Sequence, residues 1–170
     1  RQRQMCIRDS MIADLISLSK LQGAEALPEM SPVRIDDVID EAMTRNQVTA
    51  DNREITLTRS PATGIEVVGD QSLLTAAVSN LVSNAINYSP NGQPVSISQK
   101  VVREDVVLVR VTDRGIGIAP EDQKRVFERF YRVDKARSRS TGGTGLGLAI
   151  VKHVVANHGG NIKLLSLIHI

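Results

Sequence analysis

A two-layer α/β (α+β) sandwich, with helices on one face of a mixed, largely antiparallel sheet, is the fold class this 170-residue sequence predicts. Three observations carry it. Val95–Val102 and Val106–Thr112 read as two neighbouring strands joined by a charged turn at Arg103, Glu104 and Asp105. Segments on both sides of them place apolar residues at helical spacing, as helices with one buried face do. Only four aromatics occur, Tyr88, Phe127, Phe130 and Tyr131, with no Trp, so the core is expected to be aliphatic.

From the N-terminus, Ile12, Leu15, Ile16, Leu18 and Leu21 predict a helix over Met11–Leu21 that Gly23 ends. Residues 24–35, with Pro28 and Pro32, read as a linker. Asp36 is expected to cap a helix to about Asn52, with Val38, Ile39, Ala42 and Met43 on one side. Glu54–Arg59 alternates as a strand does, and Ile65–Val68 reads as a second, shorter one. Asp70 then caps a long helix through Tyr88, stopped by the turn residues Ser89-Pro90-Asn91-Gly92. Leu74, Val78, Leu81 and Ala85 are its expected core side. After the two central strands, Pro120 opens a helix to about Phe130. A basic, Ser- and Gly-rich loop follows, then a helix over about Gly145–Asn157 and a strand from Asn161.

Composition excludes several classes. Lys and Arg number 21 against 19 Asp and Glu, so the net charge of +2 argues against a whole-surface nucleic-acid binder. Hydrophobic residues at 41% exceed what a disordered segment carries. A single cysteine, Cys6, allows neither a disulfide framework nor a cysteine zinc site and suits a reducing compartment. No run approaches the roughly 18 apolar residues of a membrane span.

Three features carry chemistry. On the helix after Asp70, Asn80, Asn84 and Asn87 fall at i, i+4 and i+7, within a wedge of roughly 60°. Asn is a poor helix former, so the stripe costs helix propensity. It is either a solvated polar face or a ligand surface, and an amide oxygen suits a Mg²⁺ that takes its other oxygens from phosphate and water. Second, Asp113-Arg-Gly115-Ile-Gly117-Ile-Ala-Pro120 follows a strand directly; it is a tight connection, or a place where a ligand approaches backbone while Asp113 accepts from an exocyclic amine. Third, Thr141-Gly-Gly-Thr-Gly-Leu-Gly-Leu148 opens a helix, where backbone N–H groups favour phosphate. It is neither a Walker A loop, lacking Gly-Lys-Ser/Thr, nor a dinucleotide-binding fingerprint. Between the last two lies Lys124–Arg139, with seven basic and two acidic residues, a local +5. It fits a lid over a polyphosphate; the competing reading, an RNA-binding arm, lacks interleaved aromatics.

Together these residues resemble the ATP-binding catalytic domain of sensor histidine kinases, of the Bergerat (GHKL) fold, and their wording leans toward the phosphate-starvation sensor branch. Asn80-Leu-Val-Ser-Asn84-Ala-Ile-Asn87-Tyr88 is similar to the family's N box and Asp113-Arg-Gly115-Ile-Gly117 to its G1 box. Val126-Phe-Glu-Arg-Phe130-Tyr-Arg132 is similar to the F box and Gly143-Thr-Gly145-Leu-Gly147-Leu148 to the G2 box. The resemblance spans about Met11–Leu164. It implies ATP and Mg²⁺ as cofactors, with Asn84 on the metal, Tyr88 near the adenine and Asp113 accepting from its amino group. It extends the nucleotide site to Asn80, Asn87, Gly115, Gly117, Ile118, Phe130, Arg132, Gly143, Thr144, Gly145, Leu146, Gly147 and Leu148. Asn80, Asn84 and the lid cations Lys135 and Arg137 are the implied catalytic set.

The resemblance also implies a domain plan: residues 1–23 end a dimerisation helix, 24–35 link, and 36–164 form the catalytic domain. Arg1–Ser10 and Leu165–Ile170 depart from the family pattern and read as sequence foreign to it, as does the absence of the family's last strand. Many members carry a basic residue where this chain has Asn87. His153, His158 and His169 have no Glu after them, so the phosphoacceptor histidine is expected outside this chain; His158, before Gly159, reads as a helix C-cap. The implied partners are a second copy, through the upstream helical domain, and a response regulator, with no nucleic acid or membrane contact; the implied location is cytoplasmic. ATP-hydrolysing relatives place Glu at the position of Asn80 to activate water, and an amide cannot do so. A GHKL-type ATPase and a non-catalytic nucleotide-binding module are the rival readings.

Overall fold

The computed structural model describes residues 30–103, 106–115, 117, 120–123, 125–128 and 147–160. The chain divides into two compact units, one of Pro28–Ile116 and a second that includes Gly117–Ile170. The helix expected over Met11–Leu21 and the strand expected from Asn161 lie outside the described residues.

The first unit runs β1 (Ser31–Arg34), α1 (Ile35–Asn52), β2 (Leu57–Arg59), β3 (Glu66–Gly69), α2 (Gln71–Tyr88), β4 (Val95–Arg103) and β5 (Val106–Thr112). β1 falls inside the stretch read as linker. It pairs antiparallel with β3, Val33 opposite Val67, and Val33 is buried while Ser31, Pro32 and Arg34 are exposed. Both strands of a two-stranded ribbon are edge strands, the setting in which a proline such as Pro32 is tolerated. The main sheet has the order β2-β4-β5, with β2 parallel and β5 antiparallel to β4. β2 is shorter than the alternation of Glu54–Arg59 suggests, because Glu54 and Ile55 are used to close α1.

Along β4, Val95, Ile97 and Gln99 are buried and Ser96, Ser98 and Lys100 exposed, so one face of the sheet is covered. Val38, Ile39 and Ala42 of α1 and Val78, Val82, Ala85 and Ile86 of α2 share its core. The core is aliphatic, as expected, and each fully buried Ile or Val contributes about 1.5–3 kcal/mol. The α2 face is rotated slightly from the expected one. Val82 and Ile86 are fully buried, whereas Leu74 and Leu81 are half-buried. Asn46, buried on α1, donates to Ala42 O at 2.8 Å and to Ser79 Oγ at 3.0 Å, tying the two helices.

Asp36 is not the cap of α1. The N-cap is Arg34, with no side-chain capping bond, and Asp36 is a buried carboxylate in the first turn. It accepts from Gly64 N at 2.8 Å, Thr63 N at 3.3 Å, Arg59 Nη2 at 2.8 Å and Gln99 Nε2. A carboxylate can satisfy more donors than one helix end offers, and here long-range donors win. The Gly64 N–H foremost, then Gln99, Thr63 and Arg59, outweigh burial and hold the Asp36 carboxyl at about 2, below its ordinary 3.8.

In the second unit, α3 is one turn, Pro120–Gln123, rather than a helix to Phe130. Arg125 N bonds Asp122 O and Glu128 N bonds Arg125 O, turn contacts that replace further helix. So polar a segment offers little apolar face to hold a longer helix. α4 (Gly147–Asn157) buries Ala149, Ile150, Val151 and Val154. Its end is closed by Gly159 at φ 71°, with Gly160 N bonding Val155 O at 2.8 Å and Gly159 N bonding Ala156 O at 3.1 Å. His158 Nδ1 donates to Val154 O at 2.7 Å, the C-terminal role expected of it.

Candidate functional site

The site is built on the C-terminal half of α2. Asp70 accepts from Leu73 N at 3.1 Å and fixes where the helix starts, hence which residues share each face. The helix then runs unbroken through Tyr88, so Asn80, Asn84 and Asn87 form one stripe. All three are half-buried. Asn87 Nδ2 reaches Ser83 Oγ only at 3.5 Å. The side-chain amides of Asn80 and Asn84 have no hydrogen-bond partner among the described residues. Two amides on one helix face without partners among the described residues are suited to an external ligand.

The helix stop is elaborate. Ser89, the C-cap, is buried and its Oγ donates to Ala85 O at 2.6 Å. Arg53, at the C-cap of α1, donates from Nη1 to Asn87 O at 2.7 Å and from Nη2 to Ser89 O at 3.0 Å. These contacts set the position of Tyr88, which is half-buried.

β5 delivers the second motif to this helix end. A Cβ on Gly115 would stand 2.5 Å from Tyr88 O and 2.9 Å from Asp113 Oδ1, so only glycine permits the approach. Gly115 N donates to Asp113 Oδ1 at 2.8 Å, a local turn that orients the exposed carboxylate. Asp113 Oδ2 has no partner among the described residues. On the first unit the structure thus places Asn80, Asn84 and Asn87 on one helix and sets Gly115, with Asp113, against that helix's last residue, Tyr88.

Gly117, at φ 75°, and Gly147 and Leu148, which open α4, belong to the second unit. Ile118, Phe130, Arg132, Lys135, Arg137, Gly143, Thr144, Gly145 and Leu146 lie outside the described residues. Sequence reasoning missed Arg53, which carries no local signal: its partners are 34 and 36 positions away.

No group of three or more His, Cys, Asp or Glu side chains among the described residues could hold a metal. The donors present are neutral amides and one carboxylate. They fit a Mg²⁺ held mostly by phosphate and water, with an amide oxygen completing its shell.

A fold of this layering, with an amide stripe on one helix and a glycine-pinned aspartate reaching the end of that helix through Gly115, defines a class. The chain belongs to the histidine kinase-, DNA gyrase B- and HSP90-like ATPase family, which it matches over residues 69–167. Within that family it is similar to sensor histidine kinases. It is 61% identical over 156 residues to the sensor-like histidine kinase SenX3 of Mycolicibacterium smegmatis, a match covering 92% of this chain and 40% of SenX3. It is 37% identical over 170 residues to the phosphate regulon sensor protein PhoR of Pseudomonas aeruginosa, covering 98% of this chain and 37% of PhoR. The full-length structure of ShkA in complex with AMPPNP matches with a TM-score of 0.72 at 25% identity, over 88% of this chain and 31% of ShkA. The chain therefore spans well under half the length of these relatives. No helix among the described residues is long and apolar enough to cross a membrane.

Proposed function

We propose that this chain binds ATP with Mg²⁺ and presents the γ-phosphate to a histidine outside it, the first step of a relay to a response regulator. The observation that carries the reading is the pair of half-buried amides, Asn80 and Asn84, without partners among the described residues, on the helix whose end meets Gly115. The AMPPNP bound to ShkA supports a purine triphosphate as the ligand.

In this reading Asn84 supplies an oxygen to the metal, Asp113 accepts from the adenine amino group and Tyr88 packs beside the base. Lys135 and Arg137 neutralise phosphate charge, and the amides of Gly143, Gly145 and Gly147 bind the triphosphate. Bound Mg²⁺ supplies charge neutralisation at the β- and γ-phosphates. Phosphoryl transfer needs little covalent chemistry from protein, so positioning is the whole task of these residues. Asn80 cannot remove a proton from water, which favours transfer over hydrolysis. The full protein is then a cytoplasm-facing homodimer, paired through its upstream helices.

Isothermal titration with ATP and Mg²⁺ tests the reading. Saturable binding is expected, weakened at least tenfold in Asn84→Ala, and a supplied dimerisation domain becomes phosphorylated. Steady ATP turnover by the isolated chain, lost in Asn80→Ala, would instead favour an ATPase.

A further inference from the structure

Arg53 bonds the end of α2 through both its side chain and its main chain. Its own backbone is fixed first. Glu54 N bonds Asp51 O at 3.0 Å and Ile55 N bonds Ala50 O at 2.8 Å, a double closure of α1 that holds Glu54 at φ 56°. From that anchor the half-buried guanidinium donates to Asn87 O and Ser89 O, and Arg53 O accepts from Gly92 N at 3.3 Å. The turn that stops α2 is therefore gripped along residues 87–92 by one residue of a different helix.

Between the two carbonyls that Arg53 holds is the carbonyl of Tyr88, the surface against which Gly115 packs without room for a Cβ. Gly115 in turn holds Asp113 by its N–H. The contacts run without a gap from Arg53, through the Asn87–Ser89 carbonyls, to Gly115 and Asp113. A planar guanidinium offers two N–H groups in a fixed fork, so it can bridge two carbonyls where an ammonium would serve as a point charge. Its charge also sits at the negative end of the helix dipole.

We propose that Arg53 is a positioning residue of the nucleotide site: it sets the placement of Asp113 relative to the amide stripe, and so the selectivity for a base carrying an exocyclic amine. The proposal rests on the nucleotide-binding reading, and its test separates the two. In the nucleotide-free full chain, amide NMR with hydrogen exchange is expected to show faster exchange at Gly115 N–H in Arg53→Met and an unchanged rate in Asn84→Ala. Titration then compares ATP with inosine triphosphate, which lacks the amine, each with Mg²⁺. Arg53→Met is expected to lower the ATP-over-inosine-triphosphate preference several-fold, with Arg53→Lys intermediate. In an Asp113→Asn background the same substitution is expected to change the preference less than twofold.

A purely structural Arg53 would weaken both nucleotides equally in folded protein and leave the ratio intact, which overturns the proposal. Should Arg53→Met be too unstable to titrate, the preference of Arg53→Lys decides by the same criterion. If the wild-type chain binds neither nucleotide, the selectivity claim falls with the nucleotide reading, whatever the exchange at Gly115 shows about the contact itself.

Discussion

Asp36 and Asp113 put the same carboxylate to opposite uses. Asp36 is buried and accepts from four donors drawn from the β2–β3 connection, β2 and β4. Asp113 is exposed and accepts only from Gly115 N among the described residues. The first is saturated internally, so its binding capacity goes into holding the N-terminal end of α1 to the sheet. The second is oriented by one bond, and its Oδ2 has no partner among the described residues. Asn46 and Asn84 repeat the contrast within one residue type: Asn46 is spent on Ala42 and Ser79, whereas the amide of Asn84 has no partner among the described residues. Saturated polar groups tie elements of the fold together, and the candidate site residues Asn84 and Asp113 keep polar atoms without partners among the described residues.

The strongest way to break this contrast is to remove the saturated carboxylate. Asp36→Ala takes the carboxylate acceptor from the Thr63 and Gly64 N–H groups and Gln99 and leaves Arg59 only its bonds to Asp40 and backbone carbonyls, and is expected to give the largest stability loss of these substitutions in urea unfolding. Nucleotide affinity of the protein that remains folded should hardly change. The same group predicts a pH dependence. Its folded pKa lies below its unfolded one, so the stabilisation is complete above about pH 4 and is lost as pH falls toward 2. Urea unfolding across that window should show the decline, and Asp36→Asn should flatten it.

Next in size is Gly115→Ala. The added methyl meets Tyr88 O, and displacement of that contact is expected to cost about 1–3 kcal/mol while weakening ATP binding. Unlike Asp36→Ala, this change should move both thermal melting and titration. Asn84→Ala sharpens the contrast from the other side. It should weaken ATP with Mg²⁺ at least tenfold yet raise stability by about 0.5 kcal/mol, since alanine is the better helix former and no bond to the described residues is lost. The smallest effect is expected at Glu54, a non-glycine residue at positive φ. Glu54→Gly relieves the left-handed backbone and should gain about 0.5–1 kcal/mol in denaturant unfolding, with binding unchanged.

Much of the site was readable because its signals are local. The Asp70 cap and the Ser89–Gly92 stop bracketed α2, and with the helix's limits fixed, the spacing of Asn80, Asn84 and Asn87 placed them on one face. Asp36 was misread for the same reason: its neighbours in sequence look like a helix start, while its partners Thr63 and Gln99 are 27 and 63 positions away. β1 was hidden by Pro32, whose tolerance depends on a pairing with β3 that no local pattern announces.

Sequence alone determined the aliphatic core, the limits of α2, the two long strands and the polar stripe, because each follows from side-chain periodicity and capping within a few residues. Tertiary structure alone decided which polar groups are spent and which stay open. It joined Arg53 to Asn87 and Ser89, set Gly115 against Tyr88 and gave Asp36 its donors. Hydrogen bonds are filled by whatever the fold brings within about 3 Å, and that proximity is a property of the packed chain rather than of any segment.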